Sequence, residues 1–149
     1  MNSEIPNEII ALGSDHAGFE LKEELKAWLI GQGYDVYDLG THGLESVDYP
    51  DYGKAVGEAV VSGAAAKGLL VCGTGIGISI AANRIKNVRA ALCRSGLEAR
   101  LSREHNDANV LALGSRITGT EAAKDCVTEF LNTPFGGDRH ARRVDLLDA

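Results

Sequence analysis

Cys72 is preceded by the apolar run Leu69-Leu70-Val71 and followed by Gly73-Thr74-Gly75-Ile76-Gly77, so a thiol stands where a buried strand should give way to a glycine-rich turn. Three glycines in five residues let backbone N–H groups approach a ligand closely, and a helix starting just beyond them favours anions and thiolates at its N-terminus. The thiol, the amides of Gly73 to Gly77 and the hydroxyl of Thr74 would then converge on one point. The bland alternative for Cys72 is a small hydrophobe packed at a strand end. Cys93 and Cys126 take that bland reading, because Cys93 is followed by Arg94-Ser95 without a glycine loop and Cys126 lies in a helical stretch.

Other polar residues offer acid–base chemistry and anion binding. His105 sits in the densely polar segment Ser102-Arg103-Glu104-His105-Asn106-Asp107-Ala108-Asn109, just before a fifth apolar run, and suits either proton transfer or a helix-end cap. His16, between Asp15 and a glycine-bearing helix start, could bind an anion or cap that helix. His42 and His140 read as solvated. Arg116 and the cluster Arg139-His140-Ala141-Arg142-Arg143 stand out in an acidic chain. Arg139 and Arg143, one helical turn apart, can grip a phosphate with paired N–H donors. A terminal arm reaches a neighbouring subunit more easily than it curls over its own sheet edge, which points to a site shared within a dimer.

The elements that must position these residues alternate regularly. Apolar runs at Glu8 to Leu12, Asp35 to Leu39, Gly68 to Val71, Ala90 to Cys93 and Val110 to Leu113 are followed by helical-period segments at 19–29, 52–61, 78–85, 97–101 and 122–131. Five strand–helix units predict an α/β protein with a five-stranded parallel sheet between two helical layers. Right-handed crossovers make it doubly wound and Rossmann- or flavodoxin-like, with expected strand order 2-1-3-4-5. Gly31-Gln32-Gly33 and Thr133-Pro134-Phe135-Gly136-Gly137 stop the first and fifth helices, and Arg139 to Leu147 reads as a short C-terminal helical arm. In such a sheet ligands bind beyond the carboxyl ends of strands, where Asp15-His16, Cys72 to Gly77 and Gly114-Ser115-Arg116 fall.

The 149 residues, 44% of them hydrophobic, suit one domain spanning residues 1–149, and the formal charge of −6 argues against a nucleic-acid partner. No apolar run approaches the ~20 residues of a membrane span, and the start Met1-Asn2-Ser3-Glu4-Ile5-Pro6 lacks a basic region followed by an apolar one, so a soluble cytoplasmic protein is expected. Three cysteines without Cys-x-x-Cys spacing support neither a disulfide framework nor a zinc site. Gly13-Ser14-Asp15-His16-Ala17-Gly18 has P-loop glycine spacing but continues with Phe19-Glu20 in place of Lys and Ser or Thr. Gly73 to Gly77 follows the third strand, and Ile78 falls where a dinucleotide fingerprint has its last glycine. Both nucleotide readings are rejected.

Four stretches in order, Gly13 to Gly18, Asp48-Tyr49-Pro50-Asp51, Cys72 to Ser79 and Ser102 to Val110, followed by Gly114-Ser115-Arg116 and the arginine-bearing tail, resemble the type B ribose-5-phosphate isomerases. The wider family includes galactose-6-phosphate and allose-6-phosphate isomerases. The resemblance covers essentially the whole chain. It implies interconversion of an aldose and a ketose phosphate through an enediolate, without cofactor or metal, at sites shared between subunits of a homodimer or dimer of dimers. It further implies Cys72 as the base that moves the proton between C1 and C2, and His105 as the group that opens the furanose ring, with Asp15 nearby. Thr74 and the amides from Gly73 through Gly75 and Ile76 to Gly77 would hold the enediolate oxygens. His16, Arg116, Arg139 and Arg143 would contact the phosphate, and Asn106 the sugar. The chain departs from the family pattern at Asp138, where the family tail usually has glycine, and Arg94 to Glu98 is where substrate length would be set. Ribose 5-phosphate is the expected substrate and a six-carbon sugar phosphate the alternative. A non-catalytic phosphosugar sensor on the same sheet edge is a rival from another class, and a thiol-redox protein is disfavoured by the missing second cysteine near Cys72.

Overall fold

The computed structural model describes residues 8–149. The opening hexapeptide Met1 to Pro6, on which the absence of a leader was read, lies outside them. In chain order the elements are β1 (Ile9–Ser14), α1 (Phe19–Gly31), β2 (Asp35–Asp38), α2 (Tyr49–Val61), β3 (Lys67–Cys72), α3 (Ile76–Asn83), β4 (Ala90–Leu92), α4 (Gly96–Asn106), β5 (Val110–Gly114), α5 (Thr120–Asn132) and α6 (Arg139–Asp148). Among the described residues all strand pairings are parallel.

The sheet order is β2-β1-β3-β5-β4, which corrects the expected 2-1-3-4-5. The reason lies in the strands themselves. β5 (VLALG) is buried along its whole length, whereas β4 is three residues long and Leu92 is 36% exposed. A strand buried on both faces belongs in the sheet centre, and a short, half-covered one belongs at the edge.

This exchange decides the layers. Because the step from β4 to β5 runs back across the sheet, a right-handed crossover places α4 on the opposite face from α3. Leu21, Leu25 and Leu29 of α1, Ala99 of α4 and Cys126, Val127 and Phe130 of α5 accordingly form one core, while Val56 of α2 and Ile78 and Ala82 of α3 form the other. The chain therefore leaves β3 toward one face while its neighbours β1 and β5 lead to the other. A crevice opens at such a switch, and Cys72 ends the strand in its middle.

The fourth helix runs well past its expected end, and the C-terminal helix packs beside it. The polar segment before β5 is the last part of α4, which runs on to Asn106. There Arg103 replaces apolar packing: it is buried, its Nη1 donates to Asp107 and to the Ala108 carbonyl, both at 2.7 Å, and its Nε donates to the Thr133 carbonyl at 3.0 Å. α6 docks beside the end of α4 on its own chain, with Val144 buried, Gly136 donating to the Glu104 carbonyl at 3.0 Å, and Arg89 donating to Asp148 at 2.9 Å.

Candidate active site

The turn after β3 is tied to the turn after β5, since the amides of Ser115 and Arg116 donate to the carbonyls of Cys72 and Gly73 at 2.9 Å. Gly75, at φ +80°, is the N-cap of α3, and a Cβ there would lie 2.5 Å from Leu92 Cδ1 and 2.9 Å from the Leu113 carbonyl carbon. Only glycine combines that backbone conformation with that closeness. The turn brings the Gly75 N–H to 3.1 Å from Cys72 Sγ and the Ile76 N–H to 3.2 Å from Thr74 Oγ1. Cys72 is 5% exposed and opens onto a cavity of about 450 Å³ that Asp15, Tyr49, Gly73, Thr74, Ile76, Gly77 and Arg116 also line.

The oxyanion donors are fewer than the glycine run implies. The amides of Gly75 and Ile76 are engaged by the thiol and the hydroxyl of their own turn. Those of Gly73, Thr74 and Gly77 have no acceptor among the described residues and can meet a developing negative charge. The Gly75 N–H is thus aimed at the sulfur, and α3 begins one residue later.

Asp15 Oδ1 accepts the Gly18 amide at 3.0 Å, which fixes the carboxylate at the cavity wall. His16 does not cap the helix; its Nδ1 accepts the Val47 amide at 3.1 Å, so the ring carries its proton on Nε2 when neutral. Tyr49 is the residue that sequence reasoning missed. Pro50 suits the first turn of α2, which starts at Tyr49, and the tyrosine ring lies against Gly77, where a Cβ would approach it to 2.5 Å. The stretch containing Tyr49 was legible, but its partner Gly77, twenty-eight residues further on, was not.

The remaining candidates stand elsewhere. His105 is in the last turn of α4 and stacks on His140, with ring centroids 4.5 Å apart and planes 19° from parallel. His140 is thus not merely solvated: lost hydration, then His105, Arg139 and Arg143, hold its pKa below the ordinary histidine value against an opposing pull from Asp138. These two rings, Glu104, Phe135 and Arg139 line a second cavity of about 390 Å³. Asn106 lines a third, of about 400 Å³, with Asn83, Arg89 and Leu147, and Arg143 is exposed on α6. Cys72 ends β3, whereas His105 precedes the start of β5, so a strand length of roughly 20 Å separates the two edges. The set predicted as one site is divided between opposite edges of the sheet.

The other thiols are packing residues. Burial first, with Cys126 and Glu98 adding to it, pushes the Cys93 thiol up to about 12, and burial with Asp125 and Glu98 takes Cys126 to about 11.

An open parallel sheet with a thiol, a hydroxyl, free amides and an arginine around a cavity at its central switch point defines a doubly wound α/β protein whose thiol stands in the crevice where such folds bind ligands. The family model described as Ribose/Galactose Isomerase matches residues 10–147, and the chain belongs to that family. It is 49% identical over 140 residues to ribose-5-phosphate isomerase B of Escherichia coli, covering 94% of each protein. It is 40% identical over 127 residues to the galactose-6-phosphate isomerase subunit LacB of Clostridium acetobutylicum, covering 85% of this chain and 73% of that protein. Among solved structures, ribose-5-phosphate isomerase B of Clostridium thermocellum superposes with a TM-score of 0.93 at 54% identity over 94% of this chain and 95% of that one. The enzyme of Thermotoga maritima gives 0.93 at 53% identity over 95% and 97%.

Proposed function

We propose that this chain is an aldose–ketose isomerase that interconverts ribose 5-phosphate and ribulose 5-phosphate in the cytoplasm, at sites shared between two copies of the chain. The observation that carries the reading is Cys72 Sγ, set at the floor of a cavity, bonded to the Gly75 amide and flanked by Thr74 and unengaged amides. Relatives named ribose-5-phosphate isomerase B support the substrate.

The Cys72 thiolate takes the proton from C2 of the open-chain aldose, and the electron pair moves through the C1–C2 bond onto O1. The amides of Gly73, Thr74 and Gly77 and the Thr74 hydroxyl hold the enediolate oxygens. The thiol then returns its proton to C1, and the hydroxyl proton passes from O2 to O1, leaving a ketone at C2. One such preorganised donor contributes about 3 to 4 kcal/mol to lowering the barrier. Arg116 and His16 meet the phosphate from the cavity's own chain. His105, Asn106, Arg139 and Arg143 come from a second copy, whose amino edge covers this carboxyl edge; His105 opens the furanose ring, Asn106 contacts the sugar and the two arginines complete the phosphate site. Asp15, across the cavity, assists ring opening.

Incubation with ribose 5-phosphate in deuterated buffer tests the reading directly. Turnover with deuterium entering the carbon-bound position supports it, whereas binding without exchange marks a phosphosugar sensor. The similarity to a galactose-6-phosphate isomerase subunit supports a six-carbon substrate as the second reading. The ratio of kcat/KM values on five- and six-carbon phosphates decides between them.

A further inference from the structure

We propose that the buried ion pair of Lys22 and Asp38, outside the cavity, is a positioning device that sets the orientation and tautomer of His16. Lys22 is 1% exposed, and a fully buried lysine is rare because desolvating its ammonium is costly. An apolar pair of equal volume would pack this space at least as well, so what the charges organise around them is the informative part.

Lys22, near the start of α1, donates from Nζ to both Asp38 oxygens, at 2.8 and 2.9 Å, and to Glu23 at 2.8 Å. Lys26, one turn further on, donates to Asp38 Oδ2 at 3.0 Å. Asp38 is the last residue of β2, and its Oδ1 also accepts the Gly40 amide at 3.0 Å. Gly40 and Thr41 then clamp Ser14 from both sides: the Ser14 amide donates to the Gly40 carbonyl and the Thr41 amide to the Ser14 carbonyl, each at 2.8 Å. Ser14 directly precedes Asp15 and His16. From this clamp the chain continues to Val47, whose amide donates to His16 Nδ1.

The two lysines thus hold one carboxylate, the carboxylate holds the start of the 40–47 segment, and that segment holds both the backbone before His16 and the ring itself. With Nδ1 occupied as an acceptor, His16 presents Nε2–H as its only donor in the neutral form. This inference rests on the proposed role of His16 as a phosphate contact, and its test separates the two.

Asp38→Asn keeps an acceptor for the Gly40 amide but loses the charge, Asp38→Ala loses both, and Lys26→Met weakens the clamp from a partly exposed position without stranding a buried charge. Cooperative thermal melts establish which variants fold. Nitrogen NMR of the His16 ring and steady-state kinetics on ribose 5-phosphate then read the device. Expected are a KM raised roughly tenfold with kcat within about twofold, and loss of the fixed His16 tautomer, in the order Asp38→Ala, Asp38→Asn, Lys26→Met. Folded variants with unchanged His16 signals overturn the proposal. A lost tautomer with unchanged KM upholds the positioning device and removes His16 from the phosphate site instead. A wild-type protein without turnover sinks the isomerase reading, while the NMR arm still decides the positioning device.

Discussion

The two edges of the sheet, which the proposed mechanism joins into one site, are built in different ways. At the carboxyl edge, the turns after β3 and β5 are cross-bonded, glycines bring backbone within contact distance, and the thiol has a fixed amide partner. At the amino edge, His105, His140 and Arg139 project from the ends of α4 and α6, stacked or exposed, around an open cavity. The first is a backbone site, suited to an oxyanion whose position is set within fractions of an ångström. The second is a side-chain site, suited to a phosphate and a sugar hydroxyl. A base that must meet a developing charge gains from preorganisation, whereas charge-assisted phosphate contacts tolerate mobile arginines.

The largest expected effect is on the rigid half. Cys72→Ala should lower kcat roughly 10²- to 10⁴-fold with little change in substrate binding, measured by turnover and calorimetric titration. Turnover near the wild-type rate would remove Cys72 as the base. The relation between the halves is tested next, by mixing Cys72→Ala chains with Arg143→Ala chains. Each mixed dimer then carries one intact site, so random exchange should restore roughly a quarter of wild-type activity. No recovery means that both halves act within one chain.

Smaller effects sharpen the contrast. Gly77→Ala places a methyl against the Tyr49 ring and should cut kcat/KM roughly tenfold with little loss of melting temperature. Gly43→Ala, with nothing within 4 Å, is the neutral control. Asp138 occupies φ +47°, ψ −126°, a backbone conformation that strains any residue but glycine. Asp138→Gly should therefore stabilise by about 1 kcal/mol, raising Tm by roughly 2–4 °C, and lower KM by removing an acid beside Arg139.

The smallest effect is at alkaline pH. The folded-state pKa values of Cys93 and Cys126 are raised, so their contribution is complete below the unfolded thiol value of roughly 8.5. It is lost as pH rises toward about 11 and about 12. Alkaline melts of the Cys93→Ala/Cys126→Ala double variant should lack that decline while starting from lower stability at neutral pH.

The alternation of β-branched runs with helical-period segments was legible because each element needs one buried face, and five strands and six helices follow from it. The end of α4 was not legible, since Arg103 holds that turn through hydrogen bonds to distant carbonyls and leaves no apolar period behind. His140 read as solvated for a similar reason: its stacking partner lies thirty-five residues earlier, on another helix. Strand order had a cue in the length and apolarity of β5 against β4, but pairing energies between parallel apolar strands are too alike to rank neighbours by sequence.

What the sequence by itself determined is the chemistry available: a thiol before a glycine turn, a hydroxyl two residues on, and two arginines one helical turn apart, because local spacing decides which groups a turn or helix presents together. Only the tertiary structure decided which of these groups meet. The reversed step from β4 to β5 put α4 on the far face, the parallel direction of β5 put the end of α4 with His105 at the amino edge, and the turn after β3 brought Cys72, Thr74, Asp15, Arg116 and Tyr49 around one cavity. The physical reason is that crossover handedness and burial act on whole elements: strand order decides the face on which a helix packs, and the parallel direction of the strands decides the edge at which its ends lie.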